Sequence, residues 1–272
     1  MDVKSFSFVC TAPCHREALL LVLSIRRHYS CPIYILCDSL TSGFLNKFRL
    51  GGLVCKPDLG SKKEVGLEKT LKGVKTQNSF HNKSAIYRKM EVMDWAIKET
   101  GNTFFLDADI VLKDEVHQAI THPVMLSPHH YMVGKGSNRS FRNKYGGFNA
   151  GYLFASEEGF GDEWRNIYLN RSDFYEQEGM SLLFEVFDIG KFDETHNVGF
   201  WRFPILVKEG KRSLELKQDL GSAKSFHCHF DRLTYEKADT GLRQCYDIWS
   251  DMCRPHLPKE LSMLAKEFEN TC

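Results

Sequence analysis

Two carboxylates one residue apart, Asp107 and Asp109, directly follow the apolar run Phe104 to Leu106. Residues two apart in an extended chain point to one side of it. A short strand of wholly apolar composition is buried in the middle of a sheet. Both acids are therefore expected at the rim of a sheet, facing one spot. Two carboxylates that close repel unless a cation lies between them. Their oxygens suit a hard divalent ion, Mg²⁺ or Mn²⁺, of the kind that keeps waters and holds a substrate phosphate. Late in the chain, His227 and His229 are again two apart, in the strand-like segment Lys224 to Phe230. An imidazole fits Mn²⁺, so either is a candidate third ligand. Asp-x-Asp alone is a weak pattern that more often marks a solvated turn; the strand in front of it and the late histidines give it weight.

Other elements must bring a substrate to that spot. Ser5 to Cys10 alternates like a strand, a helix is expected from Glu17 to Tyr29, and Ile33 to Cys37 and Gly51 to Cys55 read as further strands. Strand, helix and strand at this spacing predict a parallel sheet. Ligands of such sheets sit past the carboxyl ends of the strands, where Thr11 to Arg16 and Asp38 lie. Thr11, Ala12, Arg16 and Asp38 are thus candidates to hold a nucleotide, Asp38 at a base or ribose and Arg16 at a phosphate. The plainer roles are a helix cap and a turn acid. Residues 56 to 80, rich in Lys, Gly and Ser, read as a long loop.

A helix from Ser84 to Thr100 shows Ile86, Met90, Met93 and Ile97 on its inner face, and Gly101-Asn102 stops it. Lys89 lies beside that face and Arg88 further round. Either is positioned to reach a diphosphate or a sugar, with a snorkelling surface lysine as the plainer reading. Lys135 to Gly147 has the composition of a lid, and His129 and His130 read as loop histidines. In Tyr145-Gly-Gly-Phe-Asn-Ala-Gly-Tyr-Leu-Phe-Ala155 the glycines permit close backbone approach to a ligand. Asn149 offers a donor and an acceptor to a sugar hydroxyl; Ala108, Ala150 and Gly151 count with these stretches as donor-binding. A bulged strand is the alternative. Helices are expected over Gly161 to Asn170, from Tyr175 towards Phe187, and in the amphipathic pieces Leu242 to Met252 and Lys259 to Phe268. Phe200, Trp201 and Phe203 suggest a wall for a sugar ring or, equally, core.

The totals bound the class. A chain of 272 residues with 42% hydrophobic and 26% charged residues has the composition of an ordinary globular protein. It is read as one catalytic domain: 1–112 as a nucleotide-binding half, 113–240 as an acceptor and sugar half, 241–272 as C-terminal helices. A net charge of +1 argues against a nucleic-acid surface. The longest apolar run, Ala18 to Leu23, is far short of a membrane span. Nine cysteines without Cys-x-x-Cys spacing read as reduced thiols. A soluble, cytoplasmic protein is expected.

Three segments in order, Phe-Leu-Asp-Ala-Asp109, Phe-Asn-Ala-Gly-Tyr-Leu153 and His-Phe230, resemble the GT-A class of nucleotide-sugar glycosyltransferases. The pattern is most similar to the family of glycogenin and the bacterial lipooligosaccharide galactosyltransferases. That resemblance implies an α/β fold: a Rossmann-like, mostly parallel central sheet flanked by helices, with a smaller antiparallel acceptor-side portion. It implies that the two aspartates and a late histidine hold Mn²⁺ and the nucleoside diphosphate, and that Phe-Asn-Ala-Gly contacts the donor sugar. The family's Asp-Gln-Asp-x-Leu-Asn is similar to Glu176-Gln-Glu-Gly-Met-Ser181, which puts Gln177 and Glu178 by the sugar or acceptor. The family's Gly and Lys-Pro-Trp after the histidine do not follow His229, so Lys224 or Arg232 would have to supply the phosphate-binding cation.

The implied chemistry is transfer of a sugar from a nucleoside diphosphate, UDP rather than GDP, to a saccharide hydroxyl. An inverting reaction needs a carboxylate base within reach of that hydroxyl; Glu178, Glu176 and Asp188 are the candidates. Three rivals fit less well. A haloacid-dehalogenase-like phosphotransferase would carry Thr where Val111 stands. A sugar nucleotidyltransferase would carry a Gly-rich basic loop where Thr11-Ala-Pro-Cys stands. A sugar-binding module without activity would have no need of the acids and histidines.

Overall fold

The computed structural model describes residues 1–59, 83–130, 146–171, 176–216, 219–230 and 240–270. The expected loop over 56–80 and lid over Lys135 to Gly147, like Arg232, lie largely or wholly outside them. A seven-stranded sheet organises the rest. Its strands in chain order are β1 (Phe6–Cys10), β2 (Ile33–Cys37), β3 (Leu53–Pro57), β4 (Thr103–Leu106), β6 (Val124–Pro128), β7 (Phe148–Ala155) and β8 (Ile189–Lys191). Across the sheet they lie in the order β3-β2-β1-β4-β7-β6-β8. All pairings are parallel except those of β7, which runs antiparallel to both β4 and β6.

The sequence accounts for this order. β4 is mostly apolar on both faces, β1 alternates with Phe6, Phe8 and Cys10 on one, and both faces of the sheet are covered. On one side α1 (His15–Arg26) packs with Phe6, Phe8, Phe104 and Tyr152. On the other, α3 (Lys83–Thr100) and α4 (Phe160–Arg171) pack with Phe105 and Leu153. Met90, Met93 and Ile97 of α3 are buried as their helical spacing demands. Between β2 and β3 runs the short α2 (Ser39–Asn46), and α3 ends at Gly101 in a left-handed conformation, φ 88°.

Two smaller sheets complete the described strands. β9 (Ile205–Lys208) and β10 (Lys211–Leu214) form a hairpin, and β5 (Ile110–Leu112) pairs antiparallel with β11 (Ser225–His227). The second pairing sets His227 opposite Ile110, one residue past Asp109. The amphipathic C-terminal segments are α5 (Thr240–Cys253) and α6 (Lys259–Asn270). Trp249, Cys253, Leu261 and Ala265 pack with Leu20 of α1, Val111 and Phe226, behind the β5–β11 pair. No described helix is long and apolar enough to cross a membrane.

One expected helix differs. Glu178–Glu185 forms 3-10 turns. The carbonyl of Glu176 accepts from Trp164 Nε1 at 3.0 Å, which ties down the entry to this segment. Gly179 and Ser181 add little helix propensity to resist that tie.

Candidate active site

β2 and β3 lie to one side of β1, and β4 lies to the other. The carboxyl ends of β1 and β4 are therefore where the strand order reverses, the place where open α/β sheets take their ligands. Asp107 and Asp109 stand at the end of β4, and the turn into α1 starts at Thr11.

The two acids have different partners. Asp107 Oδ1 lies 2.9 Å from Lys89 Nζ, and Lys89 also reaches Glu176 Oε1 at 3.3 Å. Burial works against the lysine's charge, but the two acids outweigh it and raise its pKa. Asp109 is held by imidazoles: Oδ1 is 2.9 Å from His227 Nε2 and Oδ2 is 2.9 Å from His229 Nδ1. Burial opposes ionisation of Asp109, yet the two rings hold its pKa well below the usual carboxylate range. His227 is likewise raised despite burial, by Asp109, whereas for His229 burial prevails and lowers it.

The expectation that both acids share one spot is thus modified. Ligand atoms of Asp109, His227 and His229 all lie within 4.8 Å of one another, and among the described residues this is the one such cluster. Asp107 stands beside it, with its charge acting on both rings.

The two histidines reach Asp109 by different means. β11 ends at His227, and His229 turns back through a left-handed backbone, φ 56°. The rings stack at 4.8 Å between centroids. Cys228 N–H donates to the Asp109 carbonyl at 2.7 Å, and Trp249 Nε1 donates to the His227 carbonyl at 2.7 Å. Trp201 meets His227 edge-on at 5.0 Å, and Phe200 and Tyr246 flank His229. Phe203 is core, packed on Trp249, so the suggested wall keeps only Phe200 and Trp201.

The glycine-rich strand contributes geometry. Leu126 faces Leu153, whereas the next residue of β6, Ser127, faces Asn149. Residues 150–152 therefore bulge out of the β6 ladder beside Asp107, whose N–H donates to the Gly151 carbonyl at 2.8 Å. A Cβ on Gly151 would sit 2.2 Å from Asp107 Oδ2, so only glycine fits there. Asn149 faces the same spot, 8% exposed, with Oδ1 accepting from Gly151 N–H at 2.9 Å. Ala150 points the other way, into the core under α3 and α4, and Ala108 is also buried, on the α1 side.

The remaining candidates separate. Asp38 Oδ2 accepts from Ala12 N–H at 2.7 Å and Oδ1 from Thr41 N–H at 2.7 Å, which caps α2 and ties it to the loop after β1. Burial resists its charge, and these amides lower its pKa. Thr11 and Arg16 flank that loop, half-buried. Arg88 pairs with Glu91 and with Asp58 at 3.6 Å, at the β3 end of the rim rather than at Asp107. Lys224 is on Asp114 at 3.1 Å. Gln177 and Glu178 are half-buried under Gly146, where a Cβ would meet the Gln177 carbonyl at 2.8 Å. Asp188 is exposed and precedes β8, whose Ile189 is level with Val124 and hence with the start of β4. It stands on the opposite rim from Asp107, which removes it as a base.

Sequence reasoning missed Asn197. Its φ is 53°, and its amide lies among Ser127, Asn149 and His227. Asn followed by Val-Gly is a composition that admits a left-handed residue, the one signal available. Arg202, 2% exposed, holds this corner: its guanidinium donates to the carbonyls of Glu194, His196 and, at 3.0 Å, Asn197.

No protein-family model matches the chain, and no curated protein does. Among solved structures it is similar to the apo structure of the WbbM bifunctional glycosyltransferase, with a TM-score of 0.50 and 12% identity over 90% of this chain. It spans 51% of the WbbM chain, about half its length. It is also similar to a glycosyltransferase involved in glycosylation of the major capsid of PBCV-1, with a TM-score of 0.49, 10% identity, and 91% and 99% of the two chains covered. The architecture, a mostly parallel seven-stranded sheet flanked by helices with two small antiparallel sheets, is similar to the fold of a solved glycosyltransferase.

Proposed function

We propose that the protein is a metal-dependent glycosyltransferase, a hexosyl- or pentosyltransferase that moves a sugar from a nucleoside diphosphate to a saccharide hydroxyl. The observation that carries this reading is the convergence of Asp109, His227 and His229 at the sheet's point of strand reversal. One carboxylate and two imidazoles suit Mn²⁺ better than Mg²⁺, which prefers oxygen throughout. When bound, the ion would supply Lewis-acid neutralisation of the leaving diphosphate.

The chain's own residues have separable tasks in this scheme. Asp109, His227 and His229 hold the ion. Lys89 holds Asp107 and Glu176 in place. The bulge at 150–152 sets Gly151 close against Asp107, and Asn149 beside it would meet a sugar hydroxyl. Glu178 is the candidate base for an inverting reaction, because Glu176 is held by Lys89 and Asp188 faces the far rim. The resemblance to the glycogenin family favours UDP over GDP.

Thermal shift with UDP, GDP and inorganic phosphate, each with and without Mn²⁺, tests the proposal. A nucleotide present at 100 times its Kd should add about 2.7 kcal/mol of stability. The gain should need both nucleotide and Mn²⁺ and be larger for UDP. Equal gains with inorganic phosphate would point to a phosphotransferase. No gain with any nucleoside diphosphate would reject the reading.

A further inference from the structure

We propose that Phe148, Phe184 and Lys191 form a subsite for the acceptor, and that the saccharide it takes carries a negative charge. This rests on the glycosyltransferase reading above and adds a class of acceptor to it. The three residues come from separate elements. Phe148 opens β7, opposite Pro128 at the end of β6, and Lys191 closes β8. β4, β6 and β8 run one way and β7 the other. The start of β7 and the ends of β6 and β8 therefore share the rim on which Asp107 stands. Phe184 is supplied by the 3-10 turns over Glu178–Glu185. Gly146, two residues before Phe148, lies against those turns: a Cβ on it would be 3.0 Å from the Glu178 Cα. Two residues of chain span at most about 7 Å, so a sugar on Phe148 is about one ring's width from the candidate base. Phe148 and Asn149 face opposite sides of β7, which lets acceptor and donor meet over the end of that strand.

The two rings make a floor. Their centroids are 5.4 Å apart and their planes differ by 35°. Leu183 and Phe187 pack into the core under α3 and α4, while Phe184 turns outward onto Phe148 and stays 38% exposed. An open aromatic face of this kind suits the C–H side of a sugar ring. Lys191 supplies the charge. Its Nζ stands over both rings, 5.3 Å from the Phe184 centroid and 5.8 Å from that of Phe148. Its base is fixed, because a Cβ on Gly190 would run into Met125 and His122, so β8 lies tight on β6. Among the described residues no carboxylate pairs with it. Glu185 is taken by Arg171 at 3.0 Å, and Asp188 stands at the far end of β8. The rings attract an exposed ammonium only weakly and accept none of its three N–H donors in a strong bond. A carboxylate or phosphate on a sugar lying on the floor would meet those donors, and a neutral sugar would not.

The experiment is a ligand-observed NMR titration of the full chain, free of nucleotide and added ion, with methyl β-glucuronide, glucose 6-phosphate, methyl β-glucoside and inorganic phosphate. At least one of the two anionic sugars should bind about three- to tenfold more tightly than the neutral glucoside, and the tighter of them names the anion. Lys191→Gln should erase that preference and leave the Kd of the glucoside unchanged. Phe184→Ala should weaken all three sugars while keeping the urea midpoint, since the ring is largely exposed. A lysine that merely clips the rings together would not alter the choice between charged and neutral sugars. The proposal is overturned if the wild type binds anionic and neutral sugars equally or not at all, if the preference survives Lys191→Gln, or if inorganic phosphate binds as tightly as the anionic sugars. Neither UDP nor Mn²⁺ takes part, so the outcome is independent of the thermal-shift test. A charged-sugar preference without any nucleotide gain would keep the subsite and make the protein a saccharide-binding module instead.

Discussion

Asp107 and Asp109 leave the same strand two residues apart, yet their surroundings are opposites. Asp107 meets a lysine, which carries a permanent charge and is shared with Glu176. Asp109 meets two imidazoles, whose protons a divalent ion can displace. One acid therefore belongs to a lysine ion pair and the other to a pair of imidazoles, the arrangement the proposed metal binding would exchange. Type and spacing in the sequence made the two look equivalent; their partners, one on α3 and the others at the end of β11, make them different.

The sharpest way to break this comparison is to remove one acid at a time. Asp109→Asn should lower Mn²⁺ affinity by more than the ~100-fold seen when only an outer partner is lost. Titration calorimetry measures it, and Mn²⁺ affinity near the wild-type value would place the ion elsewhere. Lys89→Met should act on folding instead. It leaves two poorly exposed acids without their cation, at a cost of about 3 kcal/mol in urea unfolding. An unchanged midpoint would show that Asp107 and Glu176 do not depend on the lysine.

A third test contrasts imidazoles held by burial with those held by a carboxylate. Burial pushes His129 down to about 3 and His196 to about 4. The unfolded chain, at about 6.5, then binds more protons, so stability falls as pH drops below that value. Between pH 6.5 and 5 each ring should cost up to about 2 kcal/mol. His129→Gln should flatten the profile measured by urea unfolding across that range; an unchanged slope would mean the ring is not held neutral. The smallest effects compare two glycines. Gly151→Ala forces a methyl onto the Asp107 carboxylate and should destabilise by upwards of about 1 kcal/mol, with loss of donor binding. Gly43→Ala on α2 meets nothing within 4 Å and should stabilise by about 0.5–1 kcal/mol. Equal midpoints for the two variants would discount the crowding at Asp107.

What could be read from the sequence was local. Ile33–Cys37 forms the strand its composition predicts, and Met90, Met93 and Ile97 are buried as their spacing requires. Lys89 was seen beside that face, but its bond to Glu176 joins distant segments and has no local signature. His227 and His229 were grouped as alternating strand residues, whereas the strand stops at His227 and a left-handed turn brings His229 round. Asp188 lies on the rim away from Asp107, a placement set by the direction and register of β8, which only the sheet reveals. Asn197 has no local signature because its place depends on five other side chains, those of Ser127, Asn149, Arg202, Ser225 and His227.

The pairing of β5 with β11 has a consequence for how the molecule is made. As the nascent chain leaves the ribosome from its amino end, β1 to β4 can meet early, while Asp109 waits for partners translated much later. The cluster of Asp109, His227 and His229 is assembled by a closure of high contact order, the slow kind. Until then a buried-strand edge and its acid lie open to misassembly. Maturation of the cluster should thus lag behind compaction of the sheet, and under the metal-dependent reading proposed above an ion supplied during refolding would capture that last step.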